Sequence, residues 1–321
     1  MPSVPAPVDI SVVIVGWNAR HYLKLCLDSL AKAPPRRNIE VLVVDNASTD
    51  GSAEMIEAEF PWVKLIKSKE NLGFSRGNNV AIRQCQGRYI ALVNPDVIVF
   101  PGCLDALADF LDQNPKVGNV GPRVLNPDMS MQSTCRRFPT LWNNFCSATG
   151  LATKFKNSHF FAGEHMFYFP HDRTLAVDVI VGCFSMIRRE AFDEVGLLDE
   201  DLFMYGDDVD WCRRAWNAGW QVMFYPGGQA IHDRGKITAP YPVRFAVAQQ
   251  RSVLHYWSKH HGLLGVLGIR SIILFRHLLR YSLAIASGLV RPEEVGKADV
   301  QKQVSGACLR QLLTRSLPKE A

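Results

Sequence analysis

Residues 10–18 read ISVVIVGWN, a run of apolar, mostly β-branched residues that ends in Gly-Trp-Asn. This composition is typical of a strand that is buried on both faces, as the strands of parallel sheets are. The next segment, residues 19–33, has apolar side chains at helical spacing, namely Leu23, Cys26, Leu27 and Leu30. A buried strand followed at once by an amphipathic helix predicts the first unit of an alternating α/β fold.

The same alternation continues along the first hundred residues. Further strands are predicted at IEVLVVD (39–45), VKLIKS (63–68) and YIALVNPDVIV (89–99), with helices at AEMIEAEF (53–60) and within NLGFSRGNNVAIRQC (71–85). Residues 177–196 add a strand, a turn and a helix, whereas residues 123–175 predict loops and short elements. The fold class is therefore α/β, with a doubly wound, mostly parallel central sheet flanked by helices, and ligands are expected at the carboxyl ends of its strands.

Charge is unevenly distributed along the 321 residues. The formal net charge is +5, but residues 244–315 contain eleven lysines and arginines and only three acids. This asymmetry predicts a larger N-terminal domain over residues 1–240 and a basic, helical C-terminal region over residues 241–321. Such a region suits an anionic surface such as a membrane. No nucleic-acid partner is predicted, because no recognition motif accompanies the charge.

Residues 262–290 are the most apolar part of that region and contain no acid. Their basic side chains fall within about a third of a helical wheel, at Arg270, Arg276, His277 and Arg280. We favour an amphipathic helix that lies on anionic lipid, with membrane contact through residues 245–290. The alternative is a helix packed on the N-terminal domain or on a partner subunit. A spanning helix is not expected, because no run of about 18 uninterrupted apolar residues is present.

The cysteines and the N-terminus indicate a cytoplasmic protein. The eight cysteines are scattered, without a CxxC pair or a zinc spacing, which predicts reduced core cysteines. The first ten residues, MPSVPAPVDI, have neither the basic nor the apolar part of a secretory signal.

Residues 204–220 read MYGDDVDWCRRAWNAGW and place three carboxylates at the start of a predicted helix, on Asp207, Asp208 and Asp210. One Asp is enough to cap a helix N-terminus, so three indicate an added function. Neighbouring side chains on a helix diverge by about 100°, so the three carboxylates cannot point at one atom. One of them is a candidate general base, and the others cap the helix or pair with Arg213 and Arg214.

Three more polar residues follow predicted strands. Asp45 is either a turn former or a ligand of a nucleobase or ribose. Asp96, in Asn94-Pro95-Asp96, is either a turn residue or a ligand of Mg²⁺ or Mn²⁺, which prefer oxygen atoms. A lone histidine such as His232 is more often structural, although imidazole also suits Mn²⁺.

The order of the motifs is more informative than any one of them. VVIVGWN, VVDNASTDGS, ENLGFSRGNN, LVNPDV, VGCFSMIRREAF and MYGDDVDWCRRAWNAGW follow one another along the chain. Together they resemble the family 2 glycosyltransferases with the GT-A fold, over residues 9–235. Within that family the sequence is most similar to the bacterial rhamnosyltransferase branch, whose members add rhamnose from dTDP-rhamnose to cell-wall or O-antigen lipid intermediates.

The resemblance implies roles for matching residues. Asp45 would contact the nucleotide and Asp208 would be the general base. Asp96 and His232 would hold the metal, because the DxD-like motif here keeps only its last acid. Further nucleotide-sugar contacts would come from Val15, Asn18, Asn71, Gly73, Asn78 and Asn94. The acceptor or sugar pocket would comprise Gly182, Cys183, Tyr205, Asp207 and Trp211.

The implied activity is inverting, metal-dependent transfer of a sugar from a nucleotide-diphosphate donor. The favoured donor is dTDP-rhamnose, the metal Mg²⁺ or Mn²⁺, and the acceptor a hydroxyl of a glycan or lipid-linked glycan at the cytoplasmic face of the inner membrane. A homo-oligomer is compatible with the sequence.

Other functions are weighed against this one. A family 2 transferase with a UDP-sugar donor and a non-catalytic nucleotide-sugar-binding scaffold remain alternatives. A Rossmann oxidoreductase is disfavoured because no GxGxxG follows the first strand. A nucleotidyltransferase is disfavoured because no Gly-rich loop with a basic residue follows it.

Overall fold

A computed structural model describes residues 7–290 and 295–314. The chain forms two compact units, which we call the sheet unit and the helical unit. Within the described residues, the sheet unit comprises the chain up to Phe138, His165–Phe203 and Asp207–Ile237. The helical unit comprises Pro139–Glu164, Met204–Gly206 and the chain from Thr238 onward. The functional division into residues 1–240 and 241–321 remains a prediction.

The described residues of the sheet unit form eleven strands. They are β1 (Ile10–Gly16), β2 (Ile39–Asp45), β3 (Lys64–Lys67), β4 (Tyr89–Val93), β5 (Val97–Val99), β6 (Val117–Leu125), β7 (Cys135–Arg136), β8 (Leu175–Ala176), β9 (Val179–Ile180), β10 (Phe184–Arg188) and β11 (Gln221–His232). The central sheet has the order β3-β2-β1-β4-β10-β6-β11-β5, and β8 pairs with β11. A separate two-stranded sheet is formed by β7 and β9.

The helices of the sheet unit follow the strands, as predicted. They are α1 (Arg20–Lys32), α2 (Ser52–Glu59), α3 (Gly73–Ile82), α4 (Cys103–Gln113), α7 (Arg189–Val195) and α8 (Asp207–Asn217). Strands β3, β2, β1 and β4 run parallel to one another, and β6 runs parallel to β11. Strand β10 runs antiparallel to both β4 and β6. The α/β class and the central sheet with flanking helices are confirmed.

Two apolar layers cover the faces of the sheet. Successive residues of β1 alternate between them, with Val12 and Ile14 in one layer and Val13 in the other. Residues of β2 alternate in the same way. Because both faces are covered by apolar side chains, few polar side chains fit on these strands, which explains the apolar run at residues 12–15. The buried hydroxyl of Ser11, near the start of β1, donates a hydrogen bond to Glu40 Oε1.

The fourth predicted strand is two strands in the structure. β4 ends at Val93 and β5 begins at Val97, so Asn94 and Asp96 lie in the turn between them. Pro95 has no N–H to donate to a sheet ladder and favours such an interruption. β5 pairs antiparallel with β11, so that His232 lies opposite Val97. The turn therefore places Asp96 beside His232.

The helical unit contains α5 (Leu141–Thr149), α6 (Leu151–Lys154), α9 (Pro242–His260), α10 (Gly262–Val290) and α11 (Val295–Leu313). Within α10, Gly262–Ser287 has the length and composition of a membrane-spanning helix, with a mean hydropathy of 1.6. Buried helices of soluble proteins meet the same two criteria, but only 17% of this segment is buried. All eight cysteines, in both units, are unpaired and buried, as predicted.

Candidate active site at the carboxyl edge of the sheet

The three carboxylates at the start of α8 occupy different environments. Asp210 is fully buried and pairs with Arg214, with 2.9 Å between Oδ2 and Nε. The same guanidinium donates to the carbonyl oxygens of Val195 and Leu197, so this ion pair fixes α8 to the preceding turn. Removing one partner of such a buried pair costs about 3–5 kcal/mol. The third charge of the motif is thus structural.

Asp208 is the accessible member of the set. It is half-buried, whereas Asp207 is only 5% exposed. The Asp208 Oδ2 atom accepts a hydrogen bond of 3.0 Å from the backbone N–H of Gly182. A Cβ at position 182 would stand 3.6 Å from the Cβ of Asp208 and 3.6 Å from Asp207 Oδ2. A side chain at position 182 would therefore lie in van der Waals contact with both carboxylates.

Burial and neighbouring charges give Asp207 and Asp208 different pKa values. Burial raises the pKa of Asp208, and the N–H groups of Gly182 and Val209 and the charge of Arg136 oppose that rise. Burial and then the charge of Asp208 hold the pKa of Asp207 well above its usual range. Asp208 is therefore the first of the pair to ionise as pH rises. An accessible carboxylate with a raised pKa has the properties of a general base.

Arg136 is a site residue that the sequence did not assign. Its Nη1 donates to the carbonyl oxygens of Cys135 at 2.8 Å and His165 at 3.2 Å, and to Ser133 Oγ at 3.1 Å. These contacts hold a positive charge that acts on Asp208. The only sequence signal was an Arg-Arg pair in an aromatic segment without periodicity.

The segment before β10 connects the base to the turn after β4. Cys183 follows Gly182, and its carbonyl oxygen accepts a 2.9 Å hydrogen bond from the N–H of Asn94. Asp96 lies two residues further along that turn. Backbone hydrogen bonds thus link Asp208, through Gly182 and Cys183, to the turn that carries Asp96.

Asp96 and His232 form a pair, with 3.3 Å between Oδ1 and Nε2. His232 Nδ1 lies 2.6 Å from Gln132 Oε1. The amide nitrogen of Gln132 donates to Asn126 and to the carbonyl oxygen of His232, which leaves Oε1 as the acceptor. Nδ1 therefore carries the proton, and Nε2 faces Asp96. This is how ligand histidines are oriented in metal sites.

The residues present fit a divalent cation. Among the described residues, Asn94 Oδ1 is buried without a hydrogen-bond partner, and the buried Asp96 Oδ1 has only the His232 imidazole beside it, at 3.3 Å. Unsatisfied carboxylate and amide oxygens beside an imidazole are a donor set suited to Mg²⁺ or Mn²⁺. Burial disfavours the charged imidazole, but Cys183 and Asp96 outweigh that effect and raise the pKa of His232 to about 10. A cation at Nε2 would therefore have to displace a proton.

Asp45 lies at the same edge of the sheet as Asp96. Gly16, at the end of β1, pairs with Asp45, and Val13 pairs with Leu92 of β4, so β1, β2 and β4 end together. Two strand spacings, about 10 Å, separate β2 from β4. Asp45 Oδ1 is buried and, within the described chain, has no hydrogen-bond partner.

The loops beside Asp45 are fixed by two asparagines. Asn18, with a positive φ of 47°, accepts from the N–H of Thr49 at 2.8 Å and donates its own N–H to Ser48 Oγ at 3.0 Å. Asn46, a residue missed in the sequence, accepts from the N–H of Leu72 at 2.8 Å. The loops after β1, β2 and β3 are thereby tied to one another.

The other predicted donor-site residues lie around the start of α3. Asn71 Oδ1 accepts from the N–H of Gly73 at 3.0 Å and from Asn46 at 3.0 Å. Gly73 has a φ of +76°, and a Cβ there would stand 2.4 Å from the carbonyl oxygen of Phe203. Asn78 is buried and donates to the carbonyl oxygen of Phe74, while Val15 packs against α3. These residues shape the loop, and their contact with a donor remains a prediction.

Two further residues of the predicted pocket, Trp211 and Tyr205, make aromatic packing contacts. Trp211 is 1% exposed, packs against Phe192 in the core and donates its indole N–H to the carbonyl oxygen of Gly196. We assign it a packing role in place of the predicted one. Tyr205 belongs to the helical unit, where its ring contacts Phe245.

The geometry defines an α/β protein whose strand ends carry carboxylates, an imidazole and an accessible base. The sequence profile of glycosyl transferase family 2 matches residues 11–196. An N-acetylglucosaminyl-diphospho-decaprenol L-rhamnosyltransferase of Mycobacterium tuberculosis is 30% identical over 294 residues, which cover 85% of this chain and 95% of that protein. The chain belongs to glycosyl transferase family 2, and within it this similarity is to a rhamnosyltransferase.

Solved structures share the fold. The mannosyltransferase PcManGT from Pyrobaculum calidifontis, in complex with GDP-Man and Mn²⁺, superposes with a TM-score of 0.53 at 17% identity, covering 97% of this chain and 90% of that one. A fragment of S. aureus TarS in complex with UDP-GlcNAc gives a TM-score of 0.50 at 19% identity, covering 96% and 82%. These likenesses establish a GT-A glycosyltransferase fold.

Proposed function

We propose that the protein transfers a sugar, with inversion, from a nucleotide-diphosphate donor to a hydroxyl of a glycan or lipid-linked glycan. The observation that supports this function best is the accessible Asp208 carboxylate, linked through Gly182 and Cys183 to the turn that carries Asp96. A base that is linked in this way to a strand edge with carboxylates suits a direct displacement.

Asp208 removes the proton of the acceptor hydroxyl as its oxygen attacks the anomeric carbon. The new C–O bond forms on the face opposite the diphosphate, and the bond between the anomeric carbon and the diphosphate oxygen breaks. One displacement therefore inverts the configuration. The hydrogen bonds from Gly182 and Val209 fix the carboxylate in place before the proton moves.

Asp96 and His232 would hold Mg²⁺ or Mn²⁺, with Asn94 Oδ1 as a further oxygen nearby. When bound, the cation supplies positive charge that stabilises the leaving diphosphate. Gln132 holds a proton on His232 Nδ1, so Nε2 is the nitrogen that would bind the cation once its own proton is displaced. Asp45, at the end of β2, would accept hydrogen bonds from the nucleoside.

The favoured donor is dTDP-rhamnose, and the favoured acceptor is lipid-linked. Both proposals are supported by the similarity to the mycobacterial rhamnosyltransferase, whose name specifies a diphospho-decaprenol acceptor. A lipid-linked acceptor places the enzyme at the cytoplasmic face of the inner membrane, with peripheral contact through residues 245–290. A UDP-sugar donor is the second candidate, since TarS was solved with UDP-GlcNAc.

Replacing the base tests the proposed chemistry. Asp208→Asn should lower kcat by about 10²–10⁴-fold, because a positioned general base contributes that much. The dissociation constant of the donor should change little, because Asp208 acts on the acceptor. Asp193→Asn, an exposed aspartate on the neighbouring helix α7, is the matched control and should keep full activity. Full turnover by Asp208→Asn would refute the assignment.

Donor choice is tested by calorimetric titration with dTDP-rhamnose, UDP-GlcNAc and GDP-mannose in the presence of Mn²⁺. We expect the tightest binding for dTDP-rhamnose, and a preference for GDP-mannose would overturn the narrow assignment. Weaker binding without Mn²⁺, and loss of the Mn²⁺ effect in His232→Asn, would support the cation site. Donor binding without turnover in the unmodified protein would support a scaffold instead.

A further inference from the structure

The outer face of α10 is an exposed apolar stripe. Nine large apolar side chains of this helix are between 38% and 83% exposed. Five of them follow one another at spacings of three, four or seven residues, namely Leu267, Leu274, Leu278, Tyr281 and Ile285. At 1.5 Å per residue this part of the stripe is about 27 Å long. Monomeric soluble proteins rarely expose so continuous an apolar surface without a partner.

The inner face of the same helix is covered by protein. Ile269, Ile273, His277 and Ala284 are buried within the helical unit. Arg276 is also on this inner side, and its Nε atom is buried. A membrane-spanning helix would expose all its faces to lipid or to other spanning segments. It would therefore also expose these polar groups. The arrangement therefore suits a helix that lies on a membrane and presents one face to it.

A second exposed apolar group, the aromatic segment of residues 141–160, adjoins this stripe. Leu141 packs against Gly268, where an added Cβ would stand 2.8 Å from Leu141 Cδ1. The ring centres of Phe145 and Phe275 lie 6.4 Å apart. The aromatic segment exposes the rings of Trp142, Phe145, Phe155 and Phe160. Their exposed fractions range from 37% to 62%.

Trp142 has the features of an interfacial anchor. Its ring lies 4.8 Å from that of Phe160, and its indole N–H donates to the carbonyl oxygen of Phe160 at 2.9 Å. The polar group of the ring is thus satisfied while its apolar surface stays exposed. Tryptophan side chains of this kind are enriched at the boundary between lipid and water.

The charge of both segments is positive. Residues 139–163 and 262–290 contain no Asp or Glu. Exposed cations accompany the apolar groups, at Lys154, Lys156 and Arg270, and Lys154 lies over the Phe155 ring at 5.6 Å. Each such cation contributes about 1 kcal/mol of attraction to an anionic lipid surface. A symmetric contact between two copies of this face would instead bring like charges together.

We propose that the aromatic segment and the outer stripe of α10 together form one docking surface for an anionic phospholipid bilayer. This deepens the proposed membrane contact through residues 245–290 and rests on it, and it adds residues 141–160 as a second anchor. Trp142, Phe155 and Phe160 enter the lipid boundary beside Leu274 and Leu278, while the lysines meet the phosphates.

The test is co-sedimentation of the full-length protein with vesicles of phosphatidylcholine alone or mixed with phosphatidylglycerol. We expect binding to the anionic vesicles and little to the neutral ones. Phe160→Ser and Leu278→Ser should each weaken binding about tenfold, since each removes a lipid-buried side chain. Lys154→Glu with Lys156→Glu should weaken binding to anionic vesicles only. Trp62→Ser is the matched control, an exposed aromatic of the sheet unit (46% exposed), and should bind like the wild type.

The outcomes separate this proposal from its rivals. Absence of vesicle binding, or wild-type binding by Phe160→Ser, would overturn the role of the aromatic segment. A dimer in light scattering that Leu278→Ser converts to a monomer, without vesicle binding, would make the stripe a contact between copies. Vesicle binding needs no turnover, and transfer to a water-soluble acceptor analogue is measured separately in the same variants. Failure of the transferase function is therefore distinguishable from failure of lipid docking.

Discussion

Asp207 and Asp208 are neighbours in sequence with different chemical roles. Because Asp207 is buried, its proton leaves only against the charge already present on Asp208. Asp208 is half-buried beside Gly182 and is stabilised as an anion by two backbone N–H groups. The pair therefore holds one negative charge in the window where Asp208 has ionised and Asp207 has not. That charge lies on the residue that we propose as the general base.

The charge of Arg136 sets where this window begins. Its guanidinium lowers the pKa of Asp208 against the effect of burial, so Arg136→Gln should raise that pKa. Since the base acts only when ionised, the acidic limb of the kcat/KM profile should move to higher pH. Activity should be reduced below the limb and should approach the wild-type value above it.

The control is Arg136→Lys, which keeps the charge and should move the acidic limb less than Arg136→Gln does. Asp207→Asn replaces a carboxyl that is already neutral in this window and should leave the limb in place. A loss of activity in Arg136→Gln that is equal at every pH would contradict an electrostatic role.

Sequence reasoning reached only part of this site. Asp45, Asp96 and Asp208 could be singled out because each ends a strand or begins a helix, where local pattern is readable. Gln132 and Arg136 could not, because they lie in a segment without periodicity. The hydrogen bond of Gln132 reaches His232 across one hundred positions. No local pattern encodes a contact at that separation.

At the scale of elements, α3 approaches β1 closely enough to require a glycine. A Cβ on Gly77 would stand 2.9 Å from Val15 Cγ1 and 3.3 Å from Val15 Cγ2. This contact fixes the height of the helix above the strand that ends at the donor loops. A small residue at this position is thus a packing requirement of the fold.

Gly77→Ala should destabilise the protein by about 1–3 kcal/mol, the usual cost of overpacking. Val15→Ala removes the two methyl groups that the new Cβ meets, so the double variant should recover part of that loss. A double-mutant cycle in urea would show a coupling energy of about 0.5–3 kcal/mol.

Gly306→Ala in α11 is the matched control, since its Cβ would meet only Arg310 Nη1 at 3.7 Å. It should be neutral or stabilising by up to about 1 kcal/mol, as the helix propensities of Gly and Ala predict. Strict additivity of the Gly77 and Val15 changes would show that the two side chains do not meet.

The elements of the sheet were more predictable than their pairing. Buried runs such as residues 10–15 and 39–45 specify strands by composition, and the alternation with helices specifies parallel neighbours. The antiparallel insertion of β10 between β4 and β6 was not readable, because β10 looks like any other apolar strand. Its consequence is functional, since Gly182 and Cys183 lead directly into this strand beside β4.

At the scale of the whole molecule, two surfaces of different chemistry lie in separate units. The proposed donor-site residues, from Asn18 to His232, belong to the sheet unit, and in the described chain Asp45 Oδ1 and Asn94 Oδ1 among them are buried without a hydrogen-bond partner. The proposed docking surface belongs to the helical unit and combines apolar side chains with lysine and arginine. A polar ligand and a lipid surface should therefore act on different parts of the chain.

Hydrogen exchange with mass spectrometry would separate the two ligands. A donor with Mn²⁺ at 100 times its Kd stabilises the bound state by about 2.7 kcal/mol. Exchange therefore slows at amides that exchange only when the binding site unfolds locally. We expect this protection in the loops that follow β1 and β2 and at the start of α3. Anionic vesicles should instead protect residues 141–160 and slow exchange along α10. Donor-induced protection confined to α10, or vesicle-induced protection confined to the loops after β1 and β2, would show that the two sites are wrongly assigned.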